Sequence, residues 1–524
     1  MTPPFSRTFQ DLLRENALLS PDAVAVIDGD QCVTFSELHA RAQKVAFGLA
    51  AANVSRGDRV GALLSNRVEW LEVCFGAFMA GATVVPISTW STSQELAFLL
   101  EDAELAVLFA LGSFGERDFL PDLHAAAACG IHVVVVDSPP GKFDAYQDFG
   151  SPAADLQPPD ASSSASDDAF ILYTSGSTNH PKGVRLKHFA IIENGFNIGE
   201  RQGLGPRDRV FLSAPLFWAY GSANALPAAF THGSALVLAD RFEAGRALDA
   251  IEANQCTAIY TLPAMTAALL RHEHFNKRRT ASLRTGLTIG SREEFLLAAQ
   301  ALGVDELCNV YGATETYGNC AVTWHHWPLD RRASTQGTML PGQEIQVRNP
   351  ETGKIINPHE PGLIEIRGHV TPGYWGKSAA LNADAFTADG FYKTGDIGKL
   401  DNDGAFVFVG RATDMIKRAG INVSPAEIES SLVKFPGIEA AAVVGVPHAT
   451  RGEAIMAFIV PNAGSTFPVT EVFEFLRHQL SKYKIPDWIE MVGALPLTST
   501  GKVHKKQIKD DALALAALHL GQKS

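Results

Sequence analysis

Short apolar runs rich in β-branched residues, separated by stretches with helical spacing, recur from Phe35 to about Val310, and this alternation decides the fold class. Phe35 to Ala52 has helical spacing, Arg59-Val60-Gly61-Ala62-Leu63-Leu64 reads as a strand, Glu69 to Ala80 as a helix, and Ala82 to Ile87 as a further short strand. A second series of the same kind runs from Val210 to about Val310. Strands alternating with helices imply α/β architecture, a mostly parallel sheet covered on both faces. The apolar run Ala125 to Val136 is broken by Gly130 and His132, so it is too short to span a bilayer; its Val133–Val136 end reads as a buried parallel strand. At 524 residues the chain exceeds what one hydrophobic core serves, so two or more domains are expected.

The texture changes twice along the chain. Ser138 to Asp168 is rich in Pro, Ser, Asp and Ala and reads as a surface linker. From Gly337 to Val409, short strands with frequent Gly and Pro (Ile345–Arg348, Leu363–Arg367, Ala405–Val409) suggest a small β-rich subdomain. Beyond Arg411 an α+β pattern begins: helix Pro425–Lys434, strands Ala440–Val446 and Ala454–Val460, helix Val472–Leu480. The domain boundary is therefore placed at about residues 410–414, with a large domain over 1–410 and a small one over 414–524.

The linker ends where the apolar run Ala169-Phe170-Ile171-Leu172-Tyr173, a buried strand by pattern, leads into Thr-Ser-Gly-Ser-Thr-Asn-His-Pro-Lys-Gly-Val at 174–184. Such a loop offers a polyphosphate close backbone approach at Gly176, hydroxyl donors at Thr174, Ser175, Ser177 and Thr178, and a point charge at Lys182. It is not a Walker-type loop, because Pro181 precedes the lysine and Gly183 follows it. With 44 Lys and Arg against 57 Asp and Glu, the net charge of −13 argues against nucleic acid as a partner, leaving room for a local basic site for an anionic cofactor. The six cysteines are scattered without a Cys-x-x-Cys pair, which argues against a zinc site or disulfide framework. Met1 to Phe9 has no basic and apolar leader pattern. A cytoplasmic protein without integral membrane association is expected; the sequence leaves oligomeric state open.

Three more segments carry chemistry. Asn309-Val310-Tyr311-Gly312-Ala313-Thr314-Glu315 supplies a carboxylate suited to a hard cation. In Phe391-Tyr392-Lys393-Thr394-Gly395-Asp396, a Thr-Gly-Asp turn places a carboxylate where it can accept hydrogen bonds from two ribose hydroxyls, and Arg411 follows downstream. Pro496-Leu497-Thr498-Ser499-Thr500-Gly501-Lys502 ends on a lysine. Taken in order with the loop at 174–184, these segments resemble the adenylate-forming superfamily: acyl- and aryl-CoA synthetases, luciferases and adenylation domains of peptide synthetases. The resemblance covers essentially the whole chain.

It implies a large N-terminal domain of several subdomains with doubly wound sheets, a small mobile α+β C-terminal domain, an active site between them, and ATP, Mg²⁺ and coenzyme A as cofactors. A carboxylate and ATP would give an acyl-adenylate and pyrophosphate, and a thiol would then take the acyl group. Residues implied at the nucleotide are Thr174, Ser175, Gly176, Ser177, Thr178, Lys182, Ser291, Asn309, Tyr311, Gly312, Ala313, Thr314, Asp396, Arg411 and Lys502. Glu315 and Thr178 would hold the metal. Lys502, Glu315 and Lys182 are the implied catalytic groups; Lys502 would bridge carboxylate and phosphate in the first step only. The hinge of the moving domain falls at 411–413, on Thr413 where the superfamily commonly has Asp or Lys. Asn179 replaces a glycine of the phosphate loop, and Trp218 stands where many relatives have histidine.

By the same resemblance the acyl pocket is lined by Phe196, Trp218, Tyr220, Tyr260, Gly290, Ser291, Tyr317 and Gly318. Such an aromatic-walled set suits a small hydrophobic acid. Phe217-Trp218-Ala219-Tyr220-Gly221 resembles benzoate-type CoA ligases more than long-chain fatty acid enzymes. No aspartate stands between Ser213 and Ala225 to hold an amino acid's ammonium, and no carrier-protein domain is read in the chain, so a free-standing CoA ligase is favoured. Loading of a phosphopantetheinyl carrier protein, a medium- or long-chain fatty acid substrate, and luciferase-like oxygenation remain alternatives. Lys417, Arg418, Ala419, Gly420 and Lys484 are the candidate contacts to the phosphates of CoA.

Overall fold

The computed structural model describes residues 6–137, 143–150, 163–174, 181–418, 421–448, 452–480, 482–498 and 502–521. They form two compact units: Met1–Gly290 with Glu294–Ile345 and Ile366–Tyr392, and Ser291–Glu293 with Gln346–Glu365 and Lys393–Ser524. The first contains two large sheets. One runs, in spatial order, Tyr374–Trp375, Lys182–Lys187, Asp168–Thr174, Thr83–Pro86, Arg59–Leu63, Leu105–Ala110, His132–Val135, Asp144–Ala145. It is parallel from Asp168–Thr174 to the Asp144 edge, and antiparallel at the other edge. The other runs Thr338–Met339, Ala321–Val322, Glu306–Tyr311, Thr285–Thr288, Ala258–Tyr260, Arg209–Leu212, Ala235–Leu238, Val24–Asp28, Gln31–Thr34. Its six inner strands are parallel.

The helices obey the local chemistry of their sequences. Thr34 and Glu37 close a reciprocal capping box at the start of Phe35–Ala51, satisfying two backbone donors the first turn leaves unpaired. The helix Val68–Met79 is apolar on nearly every side and buried accordingly, with Trp70, Phe75 and Phe78 in the largest core. The expected surface linker is only partly one. Asp144–Ala145 adds an edge strand beside His132–Val135, and Phe149 packs edge-on against Phe109 with centroids 5.0 Å apart. Its aromatics, Phe143, Tyr146 and Phe149, outweigh the polar composition around them.

His188, at the start of the helix His188–Gln202, is fully buried between Phe9 and Phe78, and its Nδ1 accepts the Phe9 N–H at 3.3 Å. Burial pushes its pKa down to about 3. Below the ordinary histidine value the unfolded chain takes up a proton that the folded ring refuses. The unfolded state then binds more protons, so stability falls with pH between 6.5 and about 3. The slope from this one group reaches about 1.4 kcal/mol per pH unit. Denaturant unfolding at pH 7 and pH 5 checks this. The parent should lose more stability across the interval than His188→Asn, whose amide oxygen keeps an acceptor for Phe9; equal losses would show that His188 titrates normally.

The second unit has a four-stranded sheet ordered Gln343–Arg348, Gly362–Gly368, Tyr392–Leu400, Phe406–Arg411. A second sheet is ordered Ile421–Val423, Ile416–Arg418, Gly452–Pro461, Ile438–His448, with Trp488–Met491 parallel to Gly452–Pro461. Alternate residues of its long hairpin fill two cores: Val443, Ile455 and Ile459 pack with the helices Pro425–Leu432 and Val469–Gln479, whereas Val444, Met456 and Phe458 pack with Ile508, Ala512 and Ala516 of Lys505–Gly521. No helix among the described residues is long and apolar enough to cross a membrane.

Candidate active site

The phosphate-loop segment is the connection of a hairpin. Thr174 pairs with Lys182 across two antiparallel strands, so the lysine stands at the loop's exit. Ser175, Gly176, Ser177, Thr178 and Asn179 lie outside the described residues. The Lys182 ammonium sits over the ring of Tyr374, 5.5 Å from its centroid. Glu315 occupies a short 3-10 turn, Thr314–Thr316, after the strand Glu306–Tyr311. Its Oε1 accepts the Tyr374 hydroxyl at 3.0 Å, and its charge also acts on the phenol of Tyr392. Burial, and then the Glu315 charge, push both phenols above the ordinary tyrosine range, so both keep their protons. Two residues read from distant segments, Lys182 and Glu315, are thus joined through one tyrosine.

The turn after the Glu306–Tyr311 strand is held by close backbone approach. A Cβ on Gly312 would stand 2.4 Å from the Gly318 carbonyl, and Tyr317 adopts φ +59°, a region a bulky residue rarely enters. Amides compensate for that strain. Asn194 donates to the carbonyls of Tyr317 at 3.2 Å and Asn319 at 2.8 Å, and Asn319 donates to Asn224 Oδ1 at 2.8 Å. Asn309 is turned into the sheet, where its amide donates to Arg332 O and accepts from Val310 N. Ala313 and Thr314 are half-buried, and Gly312 is exposed; Tyr311 is buried.

Within the second unit two predicted residues from separate segments pair. Asp396 is buried and its Oδ1 lies 2.8 Å from Arg411 Nε. It does not sit in a turn as its Thr-Gly-Asp sequence suggested. It lies in the strand Tyr392–Leu400, paired with Arg411; Gly395 there adopts φ +73°, and the register of the pairing shifts between Ile397 and Gly398. Thr498 N–H donates to Lys502 O at 2.7 Å and Lys502 N–H to Thr498 Oγ1 at 3.2 Å. The residue is exposed, yet desolvation by the surrounding chain and then the Arg411 charge lower the pKa of its ammonium. Thr413 lies in the turn after Arg411, where Asp414 N–H donates to Arg411 O at 3.1 Å.

The predicted pocket residues divide by exposure. Trp218 is half-buried, with Trp90 edge-on at 5.0 Å; Trp90 also meets Phe217 at 5.4 Å. Tyr220 opens a π-helical turn, Tyr220–Ala225, and donates to Leu287 O at 2.9 Å. The close approach of Gly221 to Pro215 O, 2.5 Å from where a Cβ would stand, demands glycine there. Tyr260 is buried beside it and accepts from Gln202 at 2.9 Å. Tyr317 accepts the Lys187 N–H at 3.1 Å, and Phe196 stacks on buried His232. Gly290 packs against Glu294 and Pro263, and Gly318 against Asn224; Ser291 begins the short stretch Ser291–Glu293 of the second unit. Trp90, Tyr374 and the asparagine ladder carried no sequence signal beyond their residue types.

Of the CoA candidates, Ala419 and Gly420 lie outside the described residues. Arg418 is largely buried and pairs with Asp487 at 2.8 Å while donating to the carbonyls of Tyr483 and Ile485. Lys484 pairs with Glu427 at 2.5 Å, and Lys417 is exposed.

Comparison with known proteins completes the description. The model of the AMP-binding enzyme family matches residues 13–375, and that of the AMP-binding enzyme C-terminal domain residues 427–502. A feruloyl-CoA synthase of Amycolatopsis sp is 33% identical, the match covering 94% of this chain and 96% of that protein. A mitochondrial medium-chain acyl-CoA ligase of Mus musculus is 30% identical over 96% of this chain and 87% of its own. The solved structure of ATP-bound MatB from Rhodopseudomonas palustris superposes with a TM-score of 0.86 at 28% identity, covering 97% of this chain and 99% of that one.

Proposed function

The chain belongs to the AMP-binding enzyme family and is an AMP-forming acid–CoA ligase, and we propose that its carboxylate is a compact aromatic or medium-length hydrophobic acid. A carboxylate oxygen attacks the α-phosphorus of ATP, and the bond to pyrophosphate breaks. A thiolate then attacks the acyl carbon, and AMP leaves with the oxygen that came from the acid. The observation supporting the acid class is the half-buried Trp218, flanked by Trp90 and Phe217. It agrees with the feruloyl and medium-chain acyl groups in the names of two relatives.

In this reading Lys182 neutralises the phosphates and Asp396 receives the ribose hydroxyls. Lys502 holds its charge against the α-phosphate. Among the described residues no group of three or more His, Cys, Asp or Glu could hold a metal ion. Glu315 and Thr178, the latter outside the described residues, offer the oxygen donors that a hard cation takes and would hold Mg²⁺. Bound Mg²⁺ would neutralise charge as the two anions meet. A hinge at 411–413, CoA as the free thiol acceptor, and a cytoplasmic setting, in keeping with six unpaired cysteines, complete the proposal. A pyrophosphate-release screen over aryl, alicyclic and C2–C16 acids, with and without CoA, tests it. Release should peak with compact aromatic or medium-length acids and be followed by CoA-dependent thioester. A best response to long-chain acids, or no CoA thioester, would overturn the proposal.

A further inference from the structure

We propose that Tyr374 is a positioning residue that fixes the Glu315 carboxylate relative to the phosphate-loop lysine, so that the cation site exists before nucleotide arrives. The inference rests on the reading of Glu315 as the Mg²⁺ carboxylate. Tyr374 is placed by the same strand that carries Lys182: in the antiparallel pairing of Tyr374–Trp375 with Lys182–Lys187, Val184 faces Tyr374 and Gly183 faces Trp375. Gly183 permits that contact, since its Cβ position would lie 3.2 Å from Trp375 Cβ and 3.1 Å from Ile171. The residues just before Tyr374 tie the other side. Thr371 N–H donates to Glu315 O at 2.7 Å, and Thr371 Oγ1 donates to Arg185 O at 2.8 Å.

One short segment therefore grips both the phosphate-loop strand and the Glu315 turn, and Tyr374 stands between their charges. Its ring faces the Lys182 ammonium and its hydroxyl holds Glu315 Oε1. Among the described residues no ion pair joins Lys182 to Glu315 directly. The tyrosine thus leaves the lysine to phosphate and the carboxylate to the cation, instead of letting the two neutralise each other. Partners of this kind orient a ligand without touching the metal, and their loss costs roughly 10–100-fold in metal affinity or activity.

A phenylalanine substitution separates this role from packing, because it keeps the ring. The affinity of a non-hydrolysable ATP analogue is measured by calorimetry with and without Mg²⁺ for the parent, Tyr374→Phe, Glu315→Gln and the double variant, with thermal unfolding as a check on folding. Tyr374→Phe should lose roughly 10-fold of the Mg²⁺-dependent gain in affinity while its Mg²⁺-free affinity holds. The double variant should be no worse than Glu315→Gln. Equal weakening with and without Mg²⁺, or an intact gain in Tyr374→Phe beside a lost gain in Glu315→Gln, would reduce the tyrosine to packing and overturn the inference. A gain left intact by Glu315→Gln would remove the metal reading itself, and the inference with it.

Discussion

Lys502→Ala is expected to slow acyl-adenylate formation by roughly 10²–10³-fold while leaving thioester formation from supplied acyl-adenylate near the parent rate. The ammonium is needed where charge concentrates, as one anion attacks another at the α-phosphorus. In the second step the nucleotide is a leaving group, and the attacking sulfur is at the acyl carbon. An interaction that acts only in the first transition state lowers only the first rate. Lys502 is held by reciprocal hydrogen bonds with Thr498, and desolvation, then the Arg411 charge, lower the pKa of its ammonium. Lys502→Arg should recover little, because a planar fork does not replace a compact point charge. Equal losses in both half-reactions would contradict the assignment.

Trp218→Ala is expected to shift the ratio of kcat/KM for C10–C16 acids over compact acids by about 10–200-fold in favour of the longer chains, with CoA dependence little changed. Removing the half-buried indole opens volume beside Phe217 and Trp90, which longer chains can fill and compact acids cannot. The effect is graded because each methylene of fit is worth only about 1–3 kcal/mol. An unchanged acid profile with altered CoA kinetics would make Trp218 a gate for the thiol and remove the size argument.

The strands and helices read from the sequence were legible because their patterns are local. Arg59–Leu63 and Val68–Met79 follow from runs of β-branched and apolar residues, and Phe35–Ala51 from its helical spacing. The motif segments were read from residue types, since turns and phosphate contacts need particular ones; residues 175–180 of the phosphate loop lie outside the described residues. The remainder depends on register and long-range approach. Asp396 lies in a strand because Arg411, distant in sequence, pairs with it; the glycine that suggested a turn takes φ +73° within the strand. The π-helical turn at Tyr220–Ala225 reflects packing of Gly221 against Pro215, which no periodicity announces. Tyr374 reaches Glu315 only through the pairing of Val184 with Tyr374, a contact between segments far apart in the chain.

The central claim is transfer through an adenylate, and oxygen labelling tests it most directly. With an acid carrying ¹⁸O at both carboxylate positions, ATP, Mg²⁺ and CoA, mass spectrometry should find one ¹⁸O in AMP, none in pyrophosphate and one in the acyl-CoA carbonyl. Label in inorganic phosphate with ADP as co-product, or unlabelled AMP beside labelled thioester, would contradict the account.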